Sequence, residues 1–312
     1  MRLLVTGGAG FIGSNFVDYI LMNQFRSEQI SSLTVLDNLT YAGTLENLNH
    51  LNPDPKFKFV KGDICDDRLL RELLPEIDWV INFAAESHVD RSLEHPNDFV
   101  RSNVLGAATL LNAALQVGVK HFLQVSTDEV YGTIETGSWD ECSILNPRSP
   151  YSASKASADL IANSFFVSHH MDVRITRCSN NYGPRQNLEK MIPKIIYNLR
   201  NNIPIPLYGD GLNIRDWLFV DDHCKGIWLA MQKGAAGETY HLGGGIELTN
   251  LELILQIASY LEVKNPAINY VTDRKGHDFR YSLDFNKAKK LLGYEPEFTF
   301  QTGIVATLES YG

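Results

Sequence analysis

The sequence predicts an α/β fold: a doubly wound parallel sheet, with a smaller C-terminal portion of mixed α/β structure. Three observations predict it. Short apolar runs alternate with helical patterns from Arg2 to Cys178, as strand–helix–strand units with right-handed crossovers require. The first run opens directly into a glycine-rich turn, Gly7-Gly8-Ala9-Gly10-Phe11-Ile12-Gly13. After Cys178 the alternation stops, and the turn-rich NNYGPRQ gives way to shorter, mixed elements.

Strands are expected at 2–6 (RLLVT), 33–37 (LTVLD), 57–61 (FKFVK), 78–83 (DWVINF), 120–126 (KHFLQVS) and 172–178 (DVRITRC). Helical patterns fill 11–24, 66–74, 101–117 and 151–169 between them. Beyond Cys178 the pattern predicts helices at 188–201, 221–232, 249–261 and 301–310, and strands near 205–208, 215–219, 239–242 and 268–271. Residues 1–177 are therefore expected to form a dinucleotide-binding domain, to which the chain returns around 215–243. Residues 178–312 are expected to form a substrate-binding domain. Helix 101–117 carries Val104, Leu105, Ala107, Ala108, Leu110, Leu111, Ala113, Ala114 and Leu115, and is apolar nearly all round. One face should pack on the sheet; a subunit interface or a fully internal position would cover the rest.

Of the 312 residues 44% are hydrophobic and 21% charged, which suits a sizeable core. The net charge of −9, with no basic block, gives no support to nucleic-acid or membrane-surface binding, so an anionic ligand must be held by local groups. Cys65, Cys142, Cys178 and Cys224 are widely spaced, with no CxxC pair and no Cys/His cluster. They read as buried free thiols in a reducing compartment, and no metal site is expected. The N-terminus lacks the pattern of a signal peptide and no apolar run is long enough to span a membrane, so a cytoplasmic location is expected.

The glycine turn satisfies both GxGxxG (Gly8, Gly10, Gly13) and GxxGxxG (Gly7, Gly10, Gly13) in the required strand–turn–helix context. Such glycines let the backbone approach a pyrophosphate seated on the N-terminus of the next helix, the Rossmann-type arrangement. Asp37, followed by Asn38, ends the second strand. An acid there accepts from an adenosine ribose and repels a 2′-phosphate, which favours NAD over NADP. Asp63, in Gly62-Asp63-Ile64, either flanks the adenine or caps the helix that follows.

Tyr151 and Lys155 stand at i and i+4 in PYSASKAS and share a helix face. The lysine cation, with a positive nicotinamide, should lower the phenol pKa so that it can take a hydroxyl proton during oxidation. A second pair, Asp128 and Glu129 in VSTDEVYG, follows an apolar strand. Alone, two adjacent acids could be a helix start complementing its dipole, or an acid and a base acting on one substrate.

Taken together, TGGAGFIGSN, LTYAG, AAESHVDRS, VSTDEVYG, SPYSASKAS, CSNNYGP, EKMIPKII, YGDGLNIRDWLFVDDHCKGI and DRKGHDFRYSLD cover almost the whole chain in order. The sequence resembles the extended short-chain dehydrogenase/reductases and, within them, the dTDP-glucose 4,6-dehydratases. The resemblance implies NAD as cofactor and a nucleotide sugar, dTDP-glucose, as substrate. Tyr151, aided by Thr127 and Lys155, would deprotonate the C4 hydroxyl during oxidation. Glu129 would then remove the C5 proton and Asp128 would protonate the departing C6 hydroxyl, giving a 4-keto-6-deoxy sugar.

The resemblance further implies cofactor contacts from Gly7, Gly10, Phe11, Ile12, Gly13, Asp37, Asn38, Thr40, Asp63, Ile64, Ala84, Ala85, Ser102 and Asn181, besides Tyr151 and Lys155. Ser102 stands where relatives usually carry threonine. Substrate contacts are implied for Ser87, His88, Thr127, Asn180, Lys190, Met191, Arg215, Asn250, Asp273 and His277, with Pro206, Leu207 and Tyr208 as the wall around the base. His88 could equally be a satisfied loop histidine, and Lys190 and Arg280 could be solvated. A homodimer through helices 101–117 and 151–169 is implied as well.

The segment between VYG and SPYS is short, and the chain stops soon after its last helix. Sugar-nucleotide 4-epimerases share the fold, NAD and YxxxK but need no acid–base pair for elimination. Decarboxylases of this group resemble STSEVYG, without the aspartate. UDP-glucose 4,6-dehydratases are separated from the dTDP enzymes only by contacts to the base. An inactive NAD-binding regulator would be expected to have lost part of Thr127, Asp128, Glu129, Tyr151 or Lys155, and all five are present.

Overall fold

Strand β1 (Arg2–Thr6) is buried from its second residue and runs through the glycine turn into α1 (Phe11–Asn23). The computed structural model describes residues 1–23, 30–51, 54–273 and 276–311. The last position of the expected helix 11–24 lies outside the described residues. Next come β2 (Ser32–Asp37), β3 (Phe57–Lys61), α2 (Asp67–Leu73) and β4 (Trp79–Asn82). Two short helices, α3 (Val89–Glu94) and α4 (Pro96–Phe99), lead through a π-helical stretch, Val100–Gly106, into α5 (Ala107–Val117). β5 (His121–Thr127), α6 (Pro150–His169) and β6 (Val173–Cys178) complete the first half.

The second half holds β7 (Asn180–Tyr182), α7 (Met191–Arg200), β8 (Ile205–Tyr208), β9 (Ile214–Phe219), α8 (Val220–Lys233) and β10 (Thr239–Leu242). It ends with β11 (Glu247–Thr249), α9 (Asn250–Tyr260), β12 (Ile268–Val271), α10 (Asn286–Leu292) and α11 (Phe300–Ser310).

Seven strands pair in the order β3-β2-β1-β4-β5-β6-β10, all parallel. This is the doubly wound α/β sheet that the alternating runs predict. Its order reverses between β1 and β4, where the strand ends leave a crevice. Helices cover both faces, which is why β2 and β6 are buried along nearly their whole length rather than at alternate residues. Phe16 and Ile20 of α1 pack with Ile227 and Trp228 of α8 on one face. Leu70 of α2, Leu110 and Leu111 of α5 and Ala162 of α6 pack on the other.

A three-stranded sheet, β11-β9-β7, and a parallel pair, β12-β8, form the rest around their own apolar cluster. The chain rejoins the main sheet at α8 and β10, whereas β9 stays in the small sheet.

Three features depart from the sequence expectation. Helix 101–117 begins with a π-helical stretch, which turns Asn103 inward to bond Glu86 and Ser154. That helix is not internal: Leu110, Leu111, Ala113 and Ala114 are buried, but Leu105 is 55% and Val117 37% exposed. Of the cysteines expected to be buried, Cys178 and Cys224 are; Cys142 is exposed and Cys65 partly so. Strands β7 and β11 were not expected, because three-residue runs are too short to show a period.

Candidate active site

Two joined cavities of about 580 and 820 Å³ lie along the crevice. Ser87, His88, Glu129, Asn180 and Lys190 line both. Every residue expected around the cofactor, from Gly7 to Asn181, lines the first.

Local sequence explains the cofactor end. Gly7 has φ +67°, and a Cβ there would lie 2.6 Å from the Ala84 nitrogen, so only glycine fits. A Cβ on Gly13 would collide with the Gly7 carbonyl, which keeps α1 close to β1. Asp37 accepts from the Ala9 N–H at 2.9 Å and the Leu39 N–H at 2.8 Å. A carboxylate has about four acceptor positions, so two remain for ribose hydroxyls. Burial raises the Asp37 pKa, and those two N–H groups oppose the rise.

Asp63 is not a helix cap. The N-cap of α2 is Asp66, whose side chain accepts from Leu69 N. Asp63 accepts from Cys65 N at 2.8 Å, pairs with Arg101 at 3.2 Å and lines the cavity. Burial pushes its pKa up, but those bonds outweigh it and the net shift is downward.

At the chemical end, β5 delivers Thr127 to a 3₁₀ turn, Asp128–Tyr131. Thr127 Oγ1 accepts from Glu129 N at 3.3 Å and donates to Asp128 Oδ1 at 3.1 Å. The threonine therefore caps the turn and orients the acid. Asp128 is 1% exposed, and its Oδ2 has no hydrogen-bond partner among the described residues. Burial, followed by the charges of Glu129 and Asp216, pushes its pKa well above the usual carboxylate range. The two acids thus differ in environment: Asp128 is almost fully buried and borders the first cavity alone, while Glu129 opens on both cavities.

Tyr151 and Lys155 enter from α6, whose start is set by a Ser149/Ser152 capping box and Pro150 at N1. The phenol shares a hydrogen bond with Thr127. Lys155 Nζ donates to the Val125 carbonyl at 2.7 Å. The expected lowering of the phenol pKa is not what these residues produce by themselves. Burial, then the Glu129 charge, raises Tyr151 well above its ordinary value, and burial lowers Lys155. Both groups sit where charge is poorly solvated.

The substrate end occupies the second cavity. Met191, Pro206, Leu207, Tyr208, Arg215, Asn250 and His277 line it. The Arg215 guanidinium donates to the carbonyls of Ile214, Phe279 and Asp278 and lies 4.4 Å over the Tyr281 ring. Carbonyl partners orient this fork without cancelling its charge, which suits a diphosphate. Lys190 is not merely solvated, since its Nζ donates to Ser87 O at 2.7 Å. His88 faces Glu189 at 3.8 Å.

Asp273 is the exception among the expected substrate residues. It lines neither cavity: it packs against Gly209 and bonds His277 Nδ1 at 2.6 Å, a ring that itself lines the second. Asn181 lines the first cavity, but its side chain bonds Cys178 Sγ, Ser179 O and His223. Arg280 forms a two-point pair with Glu247 and is structural.

Sequence reasoning missed Tyr41, Arg91 and Glu189. Arg91 pairs with both Glu189 oxygens, at 3.1 and 2.5 Å, and lies 4.0 Å over the Tyr41 ring, linking three segments across the crevice. The signal was the HVDRS and EK stretches themselves, which carried no spacing rule. Also missed was the buried ladder Thr6–Asn82–Gln124 beneath the cofactor end.

Fold, glycine turn, ribose-facing acid and Tyr–Lys pair define a dinucleotide-dependent enzyme of the extended short-chain dehydrogenase/reductase class. The model of the family described as GDP-mannose 4,6 dehydratase matches residues 4–307, and the chain belongs to that family. It is 52% identical to a dTDP-glucose 4,6-dehydratase of Actinoplanes sp., with 100% of this chain and 98% of the relative covered. A crystal structure of dTDP-glucose 4,6-dehydratase from Streptomyces venezuelae, with NAD bound, is 50% identical. It superposes with a TM-score of 0.98 over 100% of this chain and 97% of that one. A UDP-glucose 4-epimerase from Thermotoga maritima has the same fold, with a TM-score of 0.91 over 100% of this chain and 98% of that one, but only 30% identity.

Proposed function

We propose that the chain is an NAD-dependent dTDP-glucose 4,6-dehydratase, a lyase that converts dTDP-D-glucose to dTDP-4-keto-6-deoxy-D-glucose and water. It would serve deoxysugar biosynthesis, such as that of rhamnose. The observation that carries the reading is Asp128, buried, with its pKa pushed upward, beside the open Glu129 and within the same crevice as Tyr151. An epimerase, which eliminates nothing, has no use for such an acid next to a base.

NAD, when bound, supplies the oxidation of C4 and the later reduction of C6, and its positive nicotinamide adds the charge that eases proton loss from Tyr151. The glycine turn, Asp37, Asp63 and Ser102, which line the first cavity, would hold its diphosphate, ribose and adenine regions. Tyr151 takes the C4 hydroxyl proton, with Thr127 orienting it. Once C4 is a ketone, the C5 proton lies beside a carbonyl and Glu129 removes it. Asp128 gives its proton to the leaving C6 hydroxyl, which departs as water. Each acid–base group of this kind contributes about 10²–10⁴-fold. Arg215, Lys190, Asn250 and His277 hold the diphosphate and nucleoside ribose, and Pro206, Leu207 and Tyr208 flank the base.

We further propose a homodimer through helices 101–117 and 151–169. Leu105 and Val117 on the first are exposed, as are Leu160 (61%) and Val167 (63%) on the second. Among the described residues no helix is long and apolar enough to cross a membrane. The function is tested by incubating purified protein with dTDP-glucose and, separately, UDP-glucose. A 4-keto-6-deoxy product from dTDP-glucose supports the reading. A 4-epimer, or no product from either sugar, sinks it.

A further inference from the structure

On the dehydratase reading, two pairs of groups on different segments act in succession: Tyr151 and Lys155 on α6, then Glu129 and Asp128 on the 3₁₀ turn. One buried side chain joins those segments. Arg177 stands on β6, its Cα paired with Ser126 of β5. Its Nε donates to Asp159 Oδ2 at 2.9 Å, and its Nη1 donates to the Tyr131 hydroxyl.

Each end of this strut meets a catalytic segment. Asp159 follows Lys155 by four residues, as Lys155 follows Tyr151, so the three share one face of α6. Asp159 Oδ2 also accepts from Ser126 Oγ at 3.0 Å, one residue before Thr127. Tyr131 is the last residue of the turn that begins with Asp128.

The bond directions are determined. His241 Nδ1 lies 3.0 Å from the Asp284 carbonyl oxygen, which can only accept, so Nδ1 carries the proton. Nε2 must then accept, and Tyr131 donates its O–H to it at 2.7 Å. The Tyr131 oxygen is left to accept from Arg177. Burial keeps His241 neutral, with its pKa pushed down to about 3, so the polarity of the chain does not reverse at working pH. The Arg177 and Asp159 side chains are 7% and 1% exposed. A buried ion pair of this kind adds little net stability; its use lies in fixing orientation.

We propose that Arg177 is a positioning residue that sets the placement of the oxidising pair relative to the eliminating pair, through Asp159 on one side and Tyr131 on the other. This rests on the dehydratase reading. It requires that the two ends be separable. Tyr131→Phe keeps the ring and removes only the hydroxyl; Asp159→Asn keeps the shape and removes the charge.

The experiment is a single turnover of the NAD-loaded enzyme with dTDP-glucose in D₂O. It follows reduced-nicotinamide absorbance, deuterium uptake at C5 and, separately, the melting temperature. Tyr131→Phe is expected to slow C5 exchange roughly 10- to 100-fold, the cost of a misplaced acid–base pair, while oxidation proceeds and reduced cofactor builds up. Asp159→Asn is expected to slow oxidation by a similar factor, with no such build-up, and Arg177→Lys to slow both.

If Tyr131→Phe and Asp159→Asn slow both steps alike, or change neither, the proposal is overturned, whatever happens to the melting temperature. Should Asp159→Asn not fold, the split in Tyr131→Phe decides alone. Wild-type protein that makes no 4-keto-6-deoxy sugar removes the underlying reading instead, which keeps the two failures distinct.

Discussion

Burial favours the neutral form of the Asp128 carboxyl, and this has a thermodynamic sign. The folded-state pKa is raised, so between the unfolded and folded values the folded chain binds a proton that the unfolded chain has lost. Stability from this group is full below the unfolded pKa and is lost as pH rises towards the folded one. Asp128→Asn should therefore raise the melting temperature near pH 8 and change it little near pH 4, while slowing turnover about 10²–10⁴-fold. Melts at both pH values check this; equal shifts would contradict it. Glu129→Gln should leave oxidation detectable but abolish elimination, read from reduced-nicotinamide absorbance without product. Normal dehydration by that variant would reassign the base. Both acids were legible in the sequence because they are adjacent and follow a strand, as were Tyr151 and Lys155 at helical spacing. Arg91 and Tyr131 were not, because their partners lie 98 and 110 positions away.

Among the elements, the glycine turn and the central strands were the most legible, since glycine spacing and apolar runs are local properties. The boundary of α2 was not. Asp63 and Asp66 are both acids ahead of a helical pattern, and only the hydrogen bonds assign the cap to Asp66 and the cavity to Asp63. Asp66→Ala is thus expected to cost about 1 kcal/mol of stability with unchanged NAD affinity. Asp37→Ala is expected to weaken NAD binding, measured by calorimetry. If Asp66→Ala weakened NAD as much as Asp37→Ala did, the division of roles would be wrong. The π-helical stretch was invisible for a different reason: VRSNVLG fits an α-helix equally well until Asn103 finds Glu86 and Ser154.

Across the whole molecule, a large parallel sheet positions the cofactor end and the smaller sheets position the substrate end, with the chemistry where the cavities meet. With an acidic net charge of −9, the proposed capture of a nucleotide diphosphate rests on a few inward cations, Arg215 among them. The exposed apolar residues on helices 101–117 and 151–169 predict that Leu105→Glu with Leu160→Glu yields monomers in sedimentation. A wild-type protein that is already monomeric would remove the dimer. The central claim is that one active site oxidises C4, eliminates water across C5 and C6, and reduces C6 without releasing its reducing equivalent. The most direct measurement is turnover of dTDP-glucose deuterated at C4, with the product analysed by NMR. The label is predicted in the C6 methyl group of a 4-keto-6-deoxy sugar; label returned to C4, or lost from the product, would contradict the account.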